Sequence, residues 1–350
     1  MLSEGGIFES TIKLASYADG SADQVVRTNA SIARYSKNRE DDEAKRPINL
    51  YRHNYTVYFP GIETSRVQST AVRLGGLTDV NAAETYLKVM LNTAMININT
   101  ATNAERTVPI VDNRLMYFKS GIGGERHLIN AHRLNVSAAL ERMQQDFLPM
   151  QGIGEVRYLS LNFSPKDYVD TETNLQSLTE LKKIMTALPQ FQTLMTQRVF
   201  SNVYSMFSMA IENKAYQSKT KGFGLGFLVE YLCAALSIPY SEGCKSNKDR
   251  GSSKKMYDEI YLAKLFSDAL SDSLTGDFGE FFTLSSQHEI EDARLILEQS
   301  SSSLITELNT SVAGNINLSA ITDLLKEVLP PNIPYKTFFT GMGKKLKTKS

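Results

Sequence analysis

The sequence has few cysteines: only Cys233 and Cys244 occur among 350 residues. They are eleven positions apart, and two cysteines in a chain of this length do not form the framework of a disulfide-rich secreted domain. We therefore expect a core that folds without disulfides. A reducing compartment would keep both thiols free, which suits a protein that uses one of them chemically.

Net charge and metal-ligand clusters are lacking as well. The 38 basic side chains balance 38 acidic ones, so no overall field attracts nucleic acid, and anion binding must come from local clusters. There are four histidines, and the closest pair, His127 and His132, is five positions apart, which does not suit one helical face. No cysteine or carboxylate cluster completes a site, so the sequence predicts no metal and no cofactor.

Long apolar runs are also missing. The longest, residues 222–240, is interrupted by Glu230 and Pro239 and is too short to cross a bilayer. We expect it to form a buried helix and a short strand that lead into the segment around Cys244. The amino-terminal residues Met-Leu-Ser-Glu-Gly-Gly lack the basic and apolar regions of a cleavable signal peptide.

The segment that follows is Gly-Cys-Lys-Ser-Asn-Lys-Asp-Arg-Gly-Ser-Ser, residues 243–253. Five residues separate Cys244 from Arg250, the spacing with which a loop wraps around one tetrahedral phosphate. A guanidinium holds two phosphate oxygens as a planar fork, and cationic neighbours favour the reactive thiolate of a cysteine. The residues predicted to bind the substrate phosphate are Lys245, Ser246, Asn247, Lys248, Gly251 and Ser252.

A helix is predicted directly after this loop. Met256, Ile260, Ala263 and Leu270 recur at helical spacing, which indicates a helix over about 252–271 with Ser252 or Ser253 as its cap. A loop that opens into a helix provides backbone N–H groups for an anion. The sequence thus predicts nucleophilic catalysis, in which Cys244 attacks phosphorus, Arg250 stabilises the charge, and water hydrolyses the phosphocysteine.

The motif Cys-Lys-Ser-x-Lys-Asp-Arg at 244–250 resembles the active-site loop of inositol polyphosphate 4-phosphatases. It is similar as well to that of the bacterial phosphoinositide phosphatase effectors of the SopB, IpgD and SidF type. A second stretch, 309–315, looks like the Asn-Thr-Gly-x-x-Gly segment of the SopB branch, with Ser311 in place of glycine. The family usually has Thr or Ser where this chain has Gly251, a hydroxyl that assists thiolate departure.

The resemblance implies a substrate and a destination. It points to removal of a 3- or 4-phosphate from phosphoinositides or inositol polyphosphates. The interior lysines Lys245 and Lys248 favour a substrate with several phosphates, because they can hold the neighbouring anions. The resemblance also implies a virulence effector that a specialised secretion system delivers into the host cell, where it lies at membranes. Such effectors lack a cleavable signal peptide.

The general acid is less defined by the sequence. Asp249 lies within the loop and is the first candidate, although its side chain could instead orient the loop backbone. Asp167, Asp170 and Glu242 are the alternatives.

Two other functions remain open at this point. A phosphoprotein (tyrosine) phosphatase would use the same nucleophile in a deep pocket with aromatic walls. A phosphate-binding module without catalysis is favoured by Gly251, which lacks the hydroxyl.

The order of patterns along the chain predicts an α+β or α/β fold. The expected domains are a mixed amino-terminal region at 1–150, a catalytic region at 151–340 with a central sheet flanked by helices, and a basic tail at 341–350. Residues 1–46 are polar and are predicted to form a loop or linker. Strands are expected between 51 and 118 and at 156–163, and helices around 136–147, 175–188 and 191–210.

The tail carries four lysines: Lys344, Lys345, Lys347 and Lys349. A solvated terminus is the simplest interpretation. The alternative is peripheral contact with anionic lipid headgroups, to which each lysine contributes on the order of 1 kcal/mol.

Overall fold

The fold was analysed in a computed structural model, which describes residues 7–13, 25–32, 50–59, 62–72, 79–97, 106–116, 124–163, 170–217, 221–244 and 250–299. The chain divides into two compact units that alternate along the sequence. Unit 1 comprises Met1–Gly5, Ile32–Tyr51 and Ser69–Asn247, and unit 2 comprises Gly6–Ser31, Arg52–Gln68 and Lys248–Ser350. The catalytic region at 151–340 remains a prediction, because its limits are defined by activity and not by the fold.

The described residues contain seven strands and ten α-helices. The strands are β1 (Ile7–Lys13), β2 (Val25–Ile32), β3 (Leu50–Phe59), β4 (Ile62–Val72), β5 (Arg106–Arg114), β6 (Ile153–Leu161) and β7 (Tyr240–Gly243). The helices are α1 (Val80–Asn97), α2 (Arg126–Gln145), α3 (Phe147–Met150), α4 (Thr171–Ala187), α5 (Phe191–Met195), α6 (Arg198–Glu212), α7 (Gly222–Ala235), α8 (Arg250–Leu270), α9 (Phe278–Phe281) and α10 (Gln287–Gln299). A short 3-10 helix at Ala215–Gln217 precedes α7.

Unit 1 is built on parallel strands in the order β4-β7-β5-β6. From residue 108 onward β5 is buried at every position, and so is all of β7, whereas residues 154–158 of β6 alternate between half-buried and exposed. Parallel strands that are covered on both faces show this continuous burial. Helices α1 and α2 contact one face through Tyr86 and His132, and α7 covers the other.

Helix α7 begins beside the end of β6. A Cβ on Gly222 would lie 3.5 Å from the backbone of Phe163, which is ordinary van der Waals contact. The Gly-x-Gly-x-Gly pattern at 222–226 lies in a buried helix.

Unit 2 combines an antiparallel strand pair with helices. β1 pairs with β2 from Ile7↔Ser31 to Lys13↔Val25. Helix α8 packs against α10, and an aromatic cluster joins α8 to the segment around α9. The rings in this cluster are Tyr257, Tyr261, Phe278, Phe281 and Phe282.

The predicted α+β class, with a central sheet flanked by helices, is confirmed. The predicted strands at 55–59, 107–111 and 156–163 coincide with β3, β5 and β6. The buried helix and short strand expected within 222–240 are α7 and the start of β7. None of the helices in the described part of the chain combines the length and apolar character that are needed to cross a bilayer.

Three local predictions were wrong. Residues 1–46 contain β1 and β2, because antiparallel pairing satisfies backbone hydrogen bonds even in a polar sequence. The helix α1 lies among the expected strands of 51–118. The segment 191–210 is two helices, α5 and α6, and Thr196 and Gln197 separate them.

Candidate active site

Cys244 lies directly after β7, at the carboxyl end of a strand in the interior of the parallel sheet. The strands β4 and β5 lie on either side of β7, and the backbone N–H of Leu115 donates to the carbonyl of Gly243 at 2.9 Å. The thiol is reduced, and the residue is 1% exposed. Ligand sites of open parallel sheets form outside the carboxyl ends of the strands, where the strand order reverses.

The chain continues from Cys244 into α8, which begins at Arg250. The other predicted site residues Lys245, Ser246, Asn247, Lys248 and Asp249 lie outside the described residues, and so do the side chains of Arg250 and Ser252. Gly251 is buried in the first turn of α8.

The predicted helix over 252–271 is confirmed as α8, with a start two residues earlier than expected. Ser252 and Ser253 therefore lie inside the helix, and the prediction that one of them caps it was wrong. Asp249 is the residue that immediately precedes the helix in the sequence.

A buried polar network lies on one face of the sheet, beside β7. Its centre is the carboxylate of Asp112 on β5, which is fully buried. Arg114 contacts both carboxylate oxygens, at 2.6 Å through Nη2 and 2.9 Å through Nε. Nε2 of His132 lies 2.8 Å from Oδ2, and Ser241 Oγ donates to Oδ1 at 2.6 Å.

Two tyrosines complete this Asp112 network. The hydroxyl of Tyr158 on β6 donates to Asp112 and lies 3.0 Å from His132 Nε2. The hydroxyl of Tyr86 on α1 lies 2.6 Å from Ser241 Oγ, and the Arg114 guanidinium lies 5.8 Å from the centre of the Tyr86 ring. One carboxylate thus links β5, β6, β7 and α2, and through Ser241 it reaches α1.

Burial and charge set the protonation states of the network. Burial alone would raise the pKa of Asp112, but the Arg114 guanidinium and the hydrogen bond from His132 hold it well below its ordinary value. Burial lowers the pKa of His132, although the bond to Asp112 opposes this. Burial also raises the pKa of Tyr158 well above its ordinary value. At neutral pH the network therefore consists of an ion pair between Asp112 and Arg114 surrounded by neutral donors.

The opposite face of β7 is held by a second, smaller set of bonds. Tyr240 donates its hydroxyl proton to Glu242 Oε2 at 2.9 Å, and Asn113 Nδ2 donates to the Tyr240 oxygen at 3.2 Å. The amide oxygen of Asn113 accepts from the backbone N–H of Phe163 at 3.2 Å. Side chains on both faces therefore fix the strand that precedes Cys244.

The alternative acids have structural surroundings of their own. Asp170 precedes α4 and forms an ion pair with Arg133 at 2.7 Å. Glu242 is fully buried and accepts the Tyr240 hydrogen bond. Asp167 lies outside the described residues.

Sequence reasoning missed the Asp112 network. One signal for it was present, because Asp112, Asn113 and Arg114 directly follow the apolar run Val108–Val111. Polar residues at the carboxyl end of a buried strand indicate a site. His132 and Ser241 gave no comparable signal, since their partners are 20 and 129 positions away in the chain.

Comparisons with known proteins include a distant structural likeness. No protein-family model and no curated protein matches the sequence. A solved structure described as a Legionella phosphoinositide phosphatase superposes with a TM-score of 0.44 and 12% identity. The match covers 85% of this chain and 36% of the Legionella chain, so this chain corresponds to about a third of that protein.

Proposed function

We propose that this chain is a cysteine-dependent phosphatase that removes a 3- or 4-phosphate from a phosphoinositide or an inositol polyphosphate. The observation that carries the proposal is the position of Cys244. It follows an interior parallel strand, and a helix begins six residues later at Arg250. A strand, a cysteine, five residues and an arginine at a helix start form the arrangement that a phosphate-binding loop requires.

The proposed chemistry has two steps. The Cys244 thiolate forms a sulfur–phosphorus bond while the bond between phosphorus and the ring oxygen breaks, and that oxygen takes a proton from a general acid. Water then attacks the phosphocysteine, releasing inorganic phosphate and the thiolate. Arg250 and the loop N–H groups hold the phosphate oxygens in both steps.

Asp249 remains the first candidate for the general acid. Its position in the chain, next to both the loop and the start of α8, favours it. Asp170 is less suited because its carboxylate already forms an ion pair with Arg133. Glu242 is less suited because it is fully buried in the strand and accepts a hydrogen bond from Tyr240.

The proposed substrate class depends on the loop sequence. Lys245 and Lys248 provide two charges between the nucleophile and Arg250. A ring with several phosphates offers anions for them, while phosphotyrosine offers one. The Legionella protein is a phosphoinositide phosphatase as well, but the proposal depends on the motif and on the position of Cys244.

The site of action is part of the proposal. A phosphoinositide substrate lies in a membrane, and the resemblance to secreted effectors implies delivery to a host cell. The lysines of the tail, Lys344, Lys345, Lys347 and Lys349, would then contact anionic headgroups at the membrane surface. These four residues lie outside the described part of the chain.

The test is phosphate release from a panel of phosphoinositides and soluble inositol phosphates, with wild type and Cys244→Ser compared. We expect release from one or two members of the panel and its loss, by at least about a thousandfold, in the variant, because a hydroxyl is a far weaker nucleophile than a thiolate. The matched control is Cys233→Ser, which removes the other buried thiol and should retain activity.

Other results would select a different function. Release from phosphotyrosine peptides alone would assign the chain to the protein phosphatases. Binding of the panel lipids without turnover would favour the inactive phosphate-binding module, in agreement with Gly251 in place of a hydroxyl residue.

A further inference from the structure

The strand before Cys244 is short, and its backbone pairing with the neighbouring strands extends over few residues. β7 has four residues, Tyr240–Gly243. Its backbone pairs with two residues of β4 and with four residues of β5. A strand of this length depends on its side chains for any further restraint.

Ser241 provides such a restraint on the α1 and α2 face. Its hydroxyl lies 2.6 Å from Asp112 Oδ1 and 2.6 Å from the Tyr86 hydroxyl. The residue is fully buried, and Asp112 is its direct neighbour in the pairing of β5 with β7. The serine hydroxyl therefore joins β7 to an ion pair that three other elements also hold in place.

The remaining donors to the Asp112 carboxylate do not belong to β7. Arg114 lies on β5 itself, His132 on α2 and Tyr158 on β6. Loss of any of these donors leaves the bond between Ser241 and Asp112 in place. Loss of the Ser241 hydroxyl removes a direct side-chain bond between the Asp112 carboxylate and the strand that leads to Cys244, while the Asn113–Tyr240 bond on the opposite face stays.

We infer that Ser241 is a positioning residue for the Cys244 thiol, an inference that rests on the proposed function of Cys244. The two residues are three positions apart, about 10 Å along an extended chain. A shift of β7 along or across the sheet is passed directly to the position of the sulfur. A misplacement of about 1 Å at a reacting atom costs on the order of a hundredfold in rate.

The test compares two variants that each remove one hydroxyl donor from the same carboxylate. Ser241→Ala releases β7 from Asp112, and Tyr158→Phe removes the donor from β6. We expect Ser241→Ala to lower kcat at least about tenfold with KM within about twofold, because substrate binding stays and alignment is lost. Tyr158→Phe should leave kcat and KM within about twofold of wild type. Thermal unfolding of both variants is measured in parallel.

A purely structural role predicts a different result. If both variants lower kcat equally, or if Ser241→Ala raises KM and leaves kcat unchanged, the positioning role is wrong. Should Ser241→Ala not fold, Tyr86→Phe replaces it, since it removes the second bond to the Ser241 hydroxyl and leaves β7 intact. We then expect a larger fall in kcat for Tyr86→Phe than for Tyr158→Phe, and equal values for the two tyrosine variants would contradict the inference.

A second readout separates this inference from the proposed function. If wild type releases no phosphate from any substrate, the proposed function fails, and the rate of Cys244 alkylation by iodoacetamide at fixed pH decides the positioning role. Peptide mass spectrometry identifies the modified cysteine. We expect Ser241→Ala to change this rate at least about threefold while Tyr158→Phe does not. Equal rates in wild type and both variants would overturn the positioning role.

Discussion

Two buried carboxylates, one in each unit, are held in different ways. Asp112 in unit 1 accepts from its own strand, from two other strands and from a helix. Asp258 in unit 2 is paired on its own helix α8, with Lys254 one turn earlier and with Lys255 at 3.7 Å. These two lysine contacts of Asp258 follow from helical spacing, whereas most of the contacts of Asp112 exist only when the sheet has formed.

The cations that pair with these two carboxylates also differ. A buried lysine can lose its proton when its partner is removed, but a guanidinium stays charged. Lys254 can therefore adapt to the loss of Asp258, and Arg114 cannot adapt to the loss of Asp112. The network in unit 1 should be the more sensitive of the two.

The largest expected effect is that of Asp112→Asn. The variant leaves the buried Arg114 charge without its carboxylate and should lower the free energy of unfolding by about 3–5 kcal/mol. The corresponding Asp258→Asn should cost less, about 1–3 kcal/mol, because Lys254 can become neutral. Urea denaturation at pH 7 gives both values.

A double variant serves as the control for this result. Arg114→Met in the Asp112→Asn background removes the charge that was left behind and should recover part of the lost stability. The comparison fails if Asp258→Asn is the more damaging single substitution, or if the double variant is less stable than Asp112→Asn.

The next effect is a pH dependence of stability. His132 has a pKa below 6.5 in the folded chain because of burial, so the unfolded chain binds more protons below that pH. Stability should therefore fall as the pH drops from 6.5 towards 5, with a slope of at most about 1.4 kcal/mol per pH unit from this residue. His132→Gln should reduce the slope in this window. Asp112, whose pKa is also depressed, contributes only below about pH 4.

The matched control for His132 is the exposed His127 on the same helix. His127→Gln should leave the slope between pH 5 and 6.5 unchanged within about 0.3 kcal/mol per pH unit. The same reduction of the slope in both variants would show that the burial of His132 does not cause the pH dependence of stability. Urea denaturation at several pH values provides the measurement.

The smallest effect is expected for an exposed pair with the spacing of the Lys254–Asp258 pair. Glu84 and Lys88 lie one turn apart on α1, with Oε1 and Nζ 2.5 Å apart and both side chains partly exposed. Glu84→Gln should cost about 0.3–0.5 kcal/mol, less in high salt, because water screens the pair. A loss as large as that of Asp258→Asn would mean that spacing, and not burial, determines the strength of such pairs. Urea denaturation with and without 1 M NaCl distinguishes an exposed pair, which salt screens, from a buried one.

The elements beside the candidate site could be predicted because they follow from local patterns. The buried segment before Cys244 and the helix after it were both expected from the sequence, and the motif from Cys244 to Arg250 remains a prediction. The start of α8 was misplaced by two residues, since Ser252 and Ser253 are typical capping residues but lie inside the helix. The strands β1 and β2 were missed because their residues are polar and only the pairing of the two strands identifies them.

The sequence by itself determined the α+β class and led to the hypotheses about the nucleophile and the substrate class, because each follows from residue type and short-range spacing. Only the tertiary structure brought Asp112, His132 and Ser241 together, from two strands and a helix that are far apart in the chain. The physical reason is the order of the sheet. Among the described strands β7 comes last in sequence but lies between β4 and β5, so the partners of the strand before Cys244 come from segments more than a hundred residues earlier.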